Sequence, residues 1–376
     1  MPNTEMRVPV LLMARELHHL GGSERQMTEI AKALDRQVFD THIGCFCLEG
    51  VRGDELRAAG LPVIPFPVNT YKSPSFLSGL SKIVRYVVEN NIRIVHTWDY
   101  PTAVSVIPTI RLLTRAVALT SRRGHSELIP WVYQRATHIS DRSAHGIIVN
   151  CEFLRRHLVQ DEHVPERKVR LCYNGIDLNR FRRKDATKPA PVQRSTLVIG
   201  TVCALRREKD LATLIDAFAD VRHLQPGMML VIVGSGSELG RWQEQAKQRG
   251  VRDACHFEPA TPHISAWLNA IDIFVLPSRV EAFSNALMEA MASGCCAVAS
   301  RVGGNPELVR HEETGLLFQA GDPRSLAQEL AVLIESPERR QLLAETGERF
   351  IQGFSIARAA QLMGEIYCDF LGRSNH

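Results

Sequence analysis

The sequence predicts an α/β protein of two doubly wound domains, each a parallel sheet with helices on both faces. Three observations predict it. Short apolar, β-rich runs alternate with helical patterns through most of the 376 residues, the order that produces parallel sheets. The length exceeds one ordinary domain and suits two. Residues 182–195 are polar, proline-bearing and without periodicity, and the linker is placed at 184–195. The domains then run 1–183 and 196–355, with a last segment, 356–376, patterned as an amphipathic helix. Two such domains would set the C-terminal ends of their strands around a shared central cleft, where doubly wound sheets bind ligands.

In chain order, the expected strands of the first half are 10–14, 42–46, 63–66, 92–96, 116–121, 146–150 and 169–171; those of the second are 197–203, 229–233, 271–276 and 296–300. After the first strand, Gly21-Gly22 precedes Ser23-Glu24-Arg25-Gln26. Ser23 and Gln26 have the spacing of a capping box, and Met27, Ile30, Ala31 and Leu34 mark one face of the helix that follows. Two glycines ahead of a helix start let a phosphate approach the backbone, and they equally suit a mere tight turn. The pattern is not G-x-G-x-x-G and has no Walker lysine, which argues against a dinucleotide enzyme and a P-loop ATPase.

Composition narrows the class. Hydrophobic content of 45% and charged content of 23% are those of a soluble globular chain. A net charge of +4 does not point to nucleic acid, but residues 101–184 hold 15 Lys and Arg against 7 Asp and Glu. Such an excess suits either a solvated face or an anionic surface. Arg111 and Arg115, on a run with Ile107, Ile110, Leu112 and Leu113, would form a basic amphipathic surface for anionic lipid. Thr120-Ser121-Arg122-Arg123-Gly124-His125 reads either as an exposed loop or as a contact for a phosphate-bearing ligand. The nine cysteines are scattered, offer no zinc spacing and are odd in number, which favours a reducing, cytoplasmic setting. The N-terminus is not patterned as a signal peptide, and no apolar run is long enough to span a bilayer.

The segment from Ser278 to Glu289 carries the most chemistry. A buried strand ends at Pro277, a loop follows, and a helix-forming run begins after Ser284 and Asn285, both good N-caps. Free amides at a helix start can hold a phosphate. Glu281 and Glu289 flank that point, so a ligand bearing phosphates and hydroxyls fits. The alternative is that Glu281 is a surface loop charge and Glu289 an ordinary first-turn helix glutamate favoured by the macrodipole.

In order along nearly the whole chain come Gly21-Gly22-Ser23-Glu24, Ile94-Val95-His96-Thr97-Trp98, Asn174-Gly175-Ile176-Asp177 and Val202-Cys203-Ala204-Leu205-Arg206-Arg207-Glu208-Lys209-Asp210. Val233-Gly234-Ser235-Gly236, the two-glutamate segment, Val302-Gly303-Gly304-Asn305-Pro306-Glu307 and Gly315-Leu316-Leu317 follow. Together these resemble glycosyltransferase family 4, retaining enzymes of the GT-B fold, two Rossmann-like domains facing a central cleft. The resemblance implies a nucleotide-diphosphate sugar donor on the C-terminal domain and a glycan or lipid-linked acceptor on the N-terminal one. It implies polysaccharide or cell-envelope glycan synthesis, no metal or other cofactor, no nucleic acid, and peripheral contact with the inner face of an anionic membrane. By resemblance, Glu281 touches the donor sugar and Glu289 the ribose. Backbone around Phe283, Ser284, Asn285, Ala286 and Leu287 faces the donor, and Gly21 and Gly22 meet its diphosphate. Lys209 and an arginine neutralise the leaving group, a demand set by where charge develops. The final helix would cross back onto the first domain.

Three positions depart from the family pattern. Ala204 stands where many members have arginine; Arg206 or Arg207 would supply the guanidinium, and Arg206, on the same loop, is preferred. Trp98 replaces the histidine tied to the reacting sugar, which leaves His96 as either a catalytic or a buried structural histidine. Ala282 replaces a glycine. A catalytically silent nucleotide-sugar-binding partner and a nucleotide-sugar epimerase remain as alternatives.

Overall fold

The computed structural model describes residues 7–17, 21–48, 50–68, 74–182 and 188–374. Residues 183–187, including the first part of the expected linker, lie outside the described residues. The chain divides into two compact units, Met1–Gly175 with Ile356–His376, and Ile176–Ser355. The division falls at Gly175, ahead of the segment 184–195. Residues 188–195 are not a free tether: Val192 on a short turn is fully buried.

The first unit holds seven parallel strands: β1 (Val8–Glu16), β2 (Phe39–Cys47), β3 (Val63–Pro65), β4 (Ile94–Thr97), β5 (Val117–Arg122), β6 (Gly146–Val149) and β7 (Val169–Leu171), in the order β3-β2-β1-β4-β5-β6-β7. Val10 to Ala14 have no exposed surface, as a central parallel strand covered on both faces requires. The C-terminal helix Ile356–Ser374 packs here. Its Ala359, Met363, Ile366, Tyr367 and Phe370 recur at helical spacing and join the core around Leu12, Ile94 and Leu119.

The second unit repeats the plan with β8 (Leu197–Val202), β9 (Met228–Val233), β10 (Cys255–Glu258), β11 (Ile273–Leu276), β12 (Cys296–Ser300) and β13 (Leu316–Phe318), ordered β10-β9-β8-β11-β12-β13. Chain direction across the sheet reverses between β1 and β4 in the first unit and between β8 and β11 in the second, the points where ligands of such sheets bind. Two strands, β10 and β13, add to those expected from sequence; both are short edge strands. All nine cysteines are free. Among the described residues no helix is long and apolar enough to cross a membrane.

The capping box at Ser23 is corrected. The helix spans Gly22–Ala33, its N-cap is Gly21, and no side chain caps it. Gln26 is buried and spends its amide elsewhere: Nε2 donates to the Gly175 carbonyl at 2.8 Å, and the Gly175 amide donates to Oε1 at 2.9 Å.

Candidate functional site

In the second unit, β8 and β11 lie side by side at the reversal, so the loops after them flank one crevice. The chain leaves β8 through Cys203 and Leu205 into the turn Arg207–Lys209, and leaves β11 through Pro277 toward the helix Asn285–Ala292. Arg279 ties the two loops together. Its amide donates to the Glu208 carbonyl at 2.8 Å, and its Nε donates to Asp210 Oδ2 at 2.9 Å. Thr213 Oγ1 donates to the same carboxylate at 2.8 Å.

That tie brings together two residues 72 positions apart: Lys209 Nζ donates to Glu281 Oε2 at 2.6 Å. Ser278 Oγ donates to the same oxygen at 3.1 Å, and Ser300 Oγ at the end of β12 fixes the Ser278 carbonyl at 2.6 Å. The side chains of Lys209 and Glu281 keep 19% and 15% of their surface open, shielded but reachable. Burial works against the Lys209 ammonium, yet the charge of Glu281 and its hydrogen bond outweigh it, so the pKa is raised. Lys209 is therefore a fixed cation. Arg206, three residues earlier, is exposed and makes no ion pair among the described residues, so its guanidinium is available to an anion.

The helix Asn285–Ala292 starts beside this pair. Ser284 is its N-cap, with Oγ accepting from the Leu287 amide at 3.3 Å; that amide is thereby already engaged. Asn285 and Ala286 are half-buried at the first turn, and Phe283 is buried with its ring 5.7 Å from that of Phe354. Glu289 is 3% exposed and stands on the second turn of the helix, not in the first turn where the macrodipole favours a glutamate.

Two glycine loops hold this arrangement from behind. Gly234 has φ +150°, and a Cβ there would lie 1.9 Å from the Cys203 carbonyl oxygen; the backbones run in contact, with the Leu205 amide donating to the Ser235 carbonyl at 2.9 Å. Gly303 has φ +54°, and its Cβ would lie 1.8 Å from the Glu281 carbonyl oxygen. Next to it the Gly304 amide donates to the Ala282 carbonyl at 2.7 Å. Ser278, Arg279 and Asp210 were not singled out from sequence. A serine three residues before Glu281 and an aspartate directly after Lys209 were the available signals.

In the first unit Gly21 and Gly22 sit at the C-terminal side of β1. The Glu24 carboxylate lies 1.8 Å from where a Cβ on Gly21 would be, so it fills the space beside that glycine. Nearby Asp99 accepts from the amides of Arg15 at 2.6 Å and Thr102 at 2.8 Å. Burial pushes its pKa up to about 6, with the Glu24 charge adding to the rise.

His96, read from sequence as either a catalytic or a buried structural histidine, lies in the interior of the first unit. It has no exposed surface, and both ring nitrogens are engaged, Nδ1 with the Tyr367 hydroxyl at 2.8 Å and Nε2 with Ser121 Oγ at 2.9 Å. Burial, and then the nearby Arg123 charge, hold its pKa well below the usual value of 6.5. The folded state thus keeps it neutral, and its contribution to stability is lost as the pH falls below 6.5 and the unfolded chain takes up the proton. Replacing His96 by alanine is expected to cost about 3 kcal/mol in urea unfolding, from a cavity and an orphaned tyrosine hydroxyl, while nucleotide affinity by calorimetry stays unchanged. Trp98 is 1% exposed beneath the Arg123 guanidinium, 4.1 Å from its ring centre. The stretch 120–125 is not an exposed loop: Arg122 is buried against Asp141 and Glu162, and Arg123 donates to Asn174 Oδ1 at 2.6 Å. Part of the basic excess of residues 101–184 is therefore interior.

Comparison with known proteins gives this geometry a family. A profile described as Glycosyltransferase Family 4 matches residues 20–180, and one described as Glycosyl transferases group 1 matches residues 183–350. The chain is 28% identical over 255 residues to a D-inositol 3-phosphate glycosyltransferase of Thermobispora bispora, covering 64% of this chain and 58% of that one. It is 26% identical over 314 residues to a GDP-mannose-dependent alpha-(1-6)-phosphatidylinositol monomannoside mannosyltransferase of Mycobacterium tuberculosis, covering 79% and 80%. Across three curated relatives the match spans only 49% to 58% of their length. The crystal structure of Anabaena HepE with UDP and glucose superposes with a TM-score of 0.84 at 21% identity, over 96% of this chain and all of that one, which establishes a shared fold of two Rossmann-like domains, GT-B. Matched by the two profiles almost without a break from residue 20 to residue 350, the chain belongs to glycosyltransferase family 4.

Proposed function

We propose that this chain is a retaining glycosyltransferase that moves a sugar from a nucleotide-diphosphate sugar to a glycan or lipid-linked acceptor in cell-envelope glycan synthesis. The observation that carries the reading is the Lys209–Glu281 pair at 2.6 Å beside the helix start at Ser284. As the glycosidic bond to the donor breaks, negative charge grows on the departing diphosphate. Lys209, Arg206 and first-turn amides of the helix would meet that charge, and groups fixed before the reaction need no reorganisation during it. Glu281 would accept from donor sugar hydroxyls and Glu289 from the ribose, each as a charge-assisted hydrogen bond. With cations and amides in these places, no metal is called for in the proposal. Retention follows if the acceptor attacks from the face that the diphosphate leaves, a leaving oxygen taking the acceptor proton. A lipid-linked acceptor would bring a cytoplasmic protein to the inner face of an anionic membrane.

Calorimetric titration with UDP, GDP and ADP tests the donor site. One nucleotide is expected to bind, with affinity lowered about 10- to 100-fold by Glu289→Ala, the loss of a hydrogen bond to a charged group. If none binds, the donor-site reading fails. Binding of the matching nucleotide sugar with no transfer to any acceptor would instead favour a silent partner, a reading that Ala204 supports. An isomerised donor would mark an epimerase.

A further inference from the structure

We propose that Ser278 is a positioning residue of the donor site. Its hydroxyl fixes which oxygen of Glu281 is turned to a donor sugar, and a buried chain of side chains through Ser300 and Asn305 holds it there. The proposal rests on the donor-site reading above and names the group that sets its sugar contact.

Both protein donors on Glu281 reach the same atom. Lys209 Nζ donates to Oε2 at 2.6 Å, and Ser278 Oγ donates to Oε2 at 3.1 Å. Among the described residues nothing donates to Oε1, and the side chain keeps 15% of its surface open. A carboxylate in an ion pair only accepts, and it has lone pairs on both oxygens. Oε1 is therefore the oxygen left for a hydroxyl arriving from solvent.

The last torsion of a glutamate is broad and close to two-fold, and an ammonium, as a point charge, imposes no plane on its partner. Held by Lys209 alone, the carboxylate could turn about that torsion, exchange its oxygens, or offer both to the ammonium. Ser278, three residues back on the loop after β11, adds a second fixed point. Two donors on one oxygen occupy its lone pairs, which lie in the carboxylate plane. The other oxygen is thereby aimed before a ligand arrives, which lowers the cost of ordering it on binding.

Ser278 is itself held. It has no exposed surface, nor have Ser300 and Asn305. Ser300 Oγ donates to the Ser278 carbonyl at 2.6 Å, and Asn305 Nδ2 donates to the Ser300 carbonyl at 3.0 Å and to Ser300 Oγ at 3.4 Å. Each hydroxyl has one proton, and each is spent: that of Ser300 on a carbonyl, that of Ser278 on the carboxylate. The direction of the chain is thus fixed from Asn305 to Glu281. It carries a cost, because Asn305 Oδ1 is buried with no donor among the described residues. An apolar side chain at 305 would avoid that cost but leave Ser300 unheld. The same loop grips Glu281 at its main chain, where the Gly304 amide donates to the Ala282 carbonyl at 2.7 Å. One loop therefore places both the backbone and the carboxylate of Glu281.

A serine that merely satisfied its own hydroxyl at the end of β11 would affect every ligand alike; a positioning residue affects only the ligand that carries a sugar. The probes are whichever of UDP, GDP and ADP the wild type binds and its glucose, galactose and mannose conjugates, titrated by calorimetry. Ser278→Ala is expected to weaken the conjugate about tenfold, the scale of one hydrogen bond to a charged group, and the bare nucleotide less than about twofold. In a Glu281→Gln background, where the carboxylate is already gone, the same change should cost the conjugate less than about twofold, because the two residues act through one contact. Ser300→Ala leaves the Ser278 hydroxyl in place but loosens its peptide. It should give the same pattern at about threefold, and it carries the test if Ser278→Ala does not fold. Equal losses for nucleotide and conjugate, or a loss undiminished in the Glu281→Gln background, overturn the proposal and leave the donor site standing. A wild type that binds a nucleotide and none of its conjugates overturns it as well. A wild type that binds none of the three nucleotides removes the donor-site reading itself, and this proposal with it.

Discussion

Lys209→Ala is expected to lower kcat by about 10²- to 10³-fold, the scale seen when one preorganised charge stabiliser is removed from a reacting site. The expectation comes from where the ammonium is held. In the resting protein Lys209 is bound to Glu281 at 2.6 Å and anchored by a loop that Arg279 fixes at two points. It cannot swing away on a long tether, and it is charged throughout the neutral range because its pKa is raised above 10.5. In the proposed transfer the charge that needs it appears as the diphosphate departs, so the loss should fall more on kcat than on the donor's KM. Lys209→Arg keeps the charge but exchanges a point ammonium for a planar fork, and should recover part of the rate. The sign of the pH dependence is fixed too. A lysine with a raised pKa contributes its stability fully below the unfolded value of 10.5 and loses it only as the pH rises through the folded one. Steady-state rates against pH should therefore show no limb from this group between neutrality and pH 10.5. An alanine variant within threefold of wild type would sink the role assigned to Lys209.

The strands that were legible in the sequence are those with long apolar or β-branched runs, such as Val10 to Ala14, whose burial on both faces forces that composition. The strands β10 and β13 were missed although β3 and β7, equally short strands at a sheet edge, were expected. Cys-His-Phe-Glu in β10 is only partly buried and lacks the continuous apolar run of an inner strand. At the site, Glu281 and the helix start at Ser284 could be read from local rules of capping and strand termination. The pairing of Glu281 with Lys209 could not, because it depends on β8 and β11 being neighbours and on Arg279 crossing between their loops. His96 shows the opposite failure. Its place at the end of an apolar strand admitted two readings, and its ring partner Tyr367 lies 271 residues away on the C-terminal helix. The capping box at Ser23 had the right letters, but Gln26 was recruited by Gly175, 149 positions distant. In each case a local pattern was overridden by a partner that sequence spacing cannot reveal.

Gly303→Ala should destabilise the second unit by about 3 to 5 kcal/mol and abolish detectable nucleotide binding, although residue 303 bears no functional group. Two costs add. The backbone at φ +54° is one that an L-residue enters at roughly 1 kcal/mol. The larger cost is steric, because the new Cβ would stand 1.8 Å from the Glu281 carbonyl oxygen, and a main-chain atom cannot rotate aside. The loop would have to retreat, breaking the bond of 2.7 Å from the Gly304 amide to the Ala282 carbonyl and dragging Glu281 from Lys209. Gly240→Ala is the matched control: a Cβ there meets nothing within 4 Å, and the residue sits in the helix Leu239–Gln248. That change should be neutral or stabilise by up to about 1 kcal/mol. Urea unfolding of the three proteins, with calorimetric titration of whichever nucleotide the wild type binds, separates the effects. A Gly303→Ala protein that unfolds within 1 kcal/mol of wild type and still binds would show that the loop after β12 can yield, and that the position of Glu281 does not depend on it.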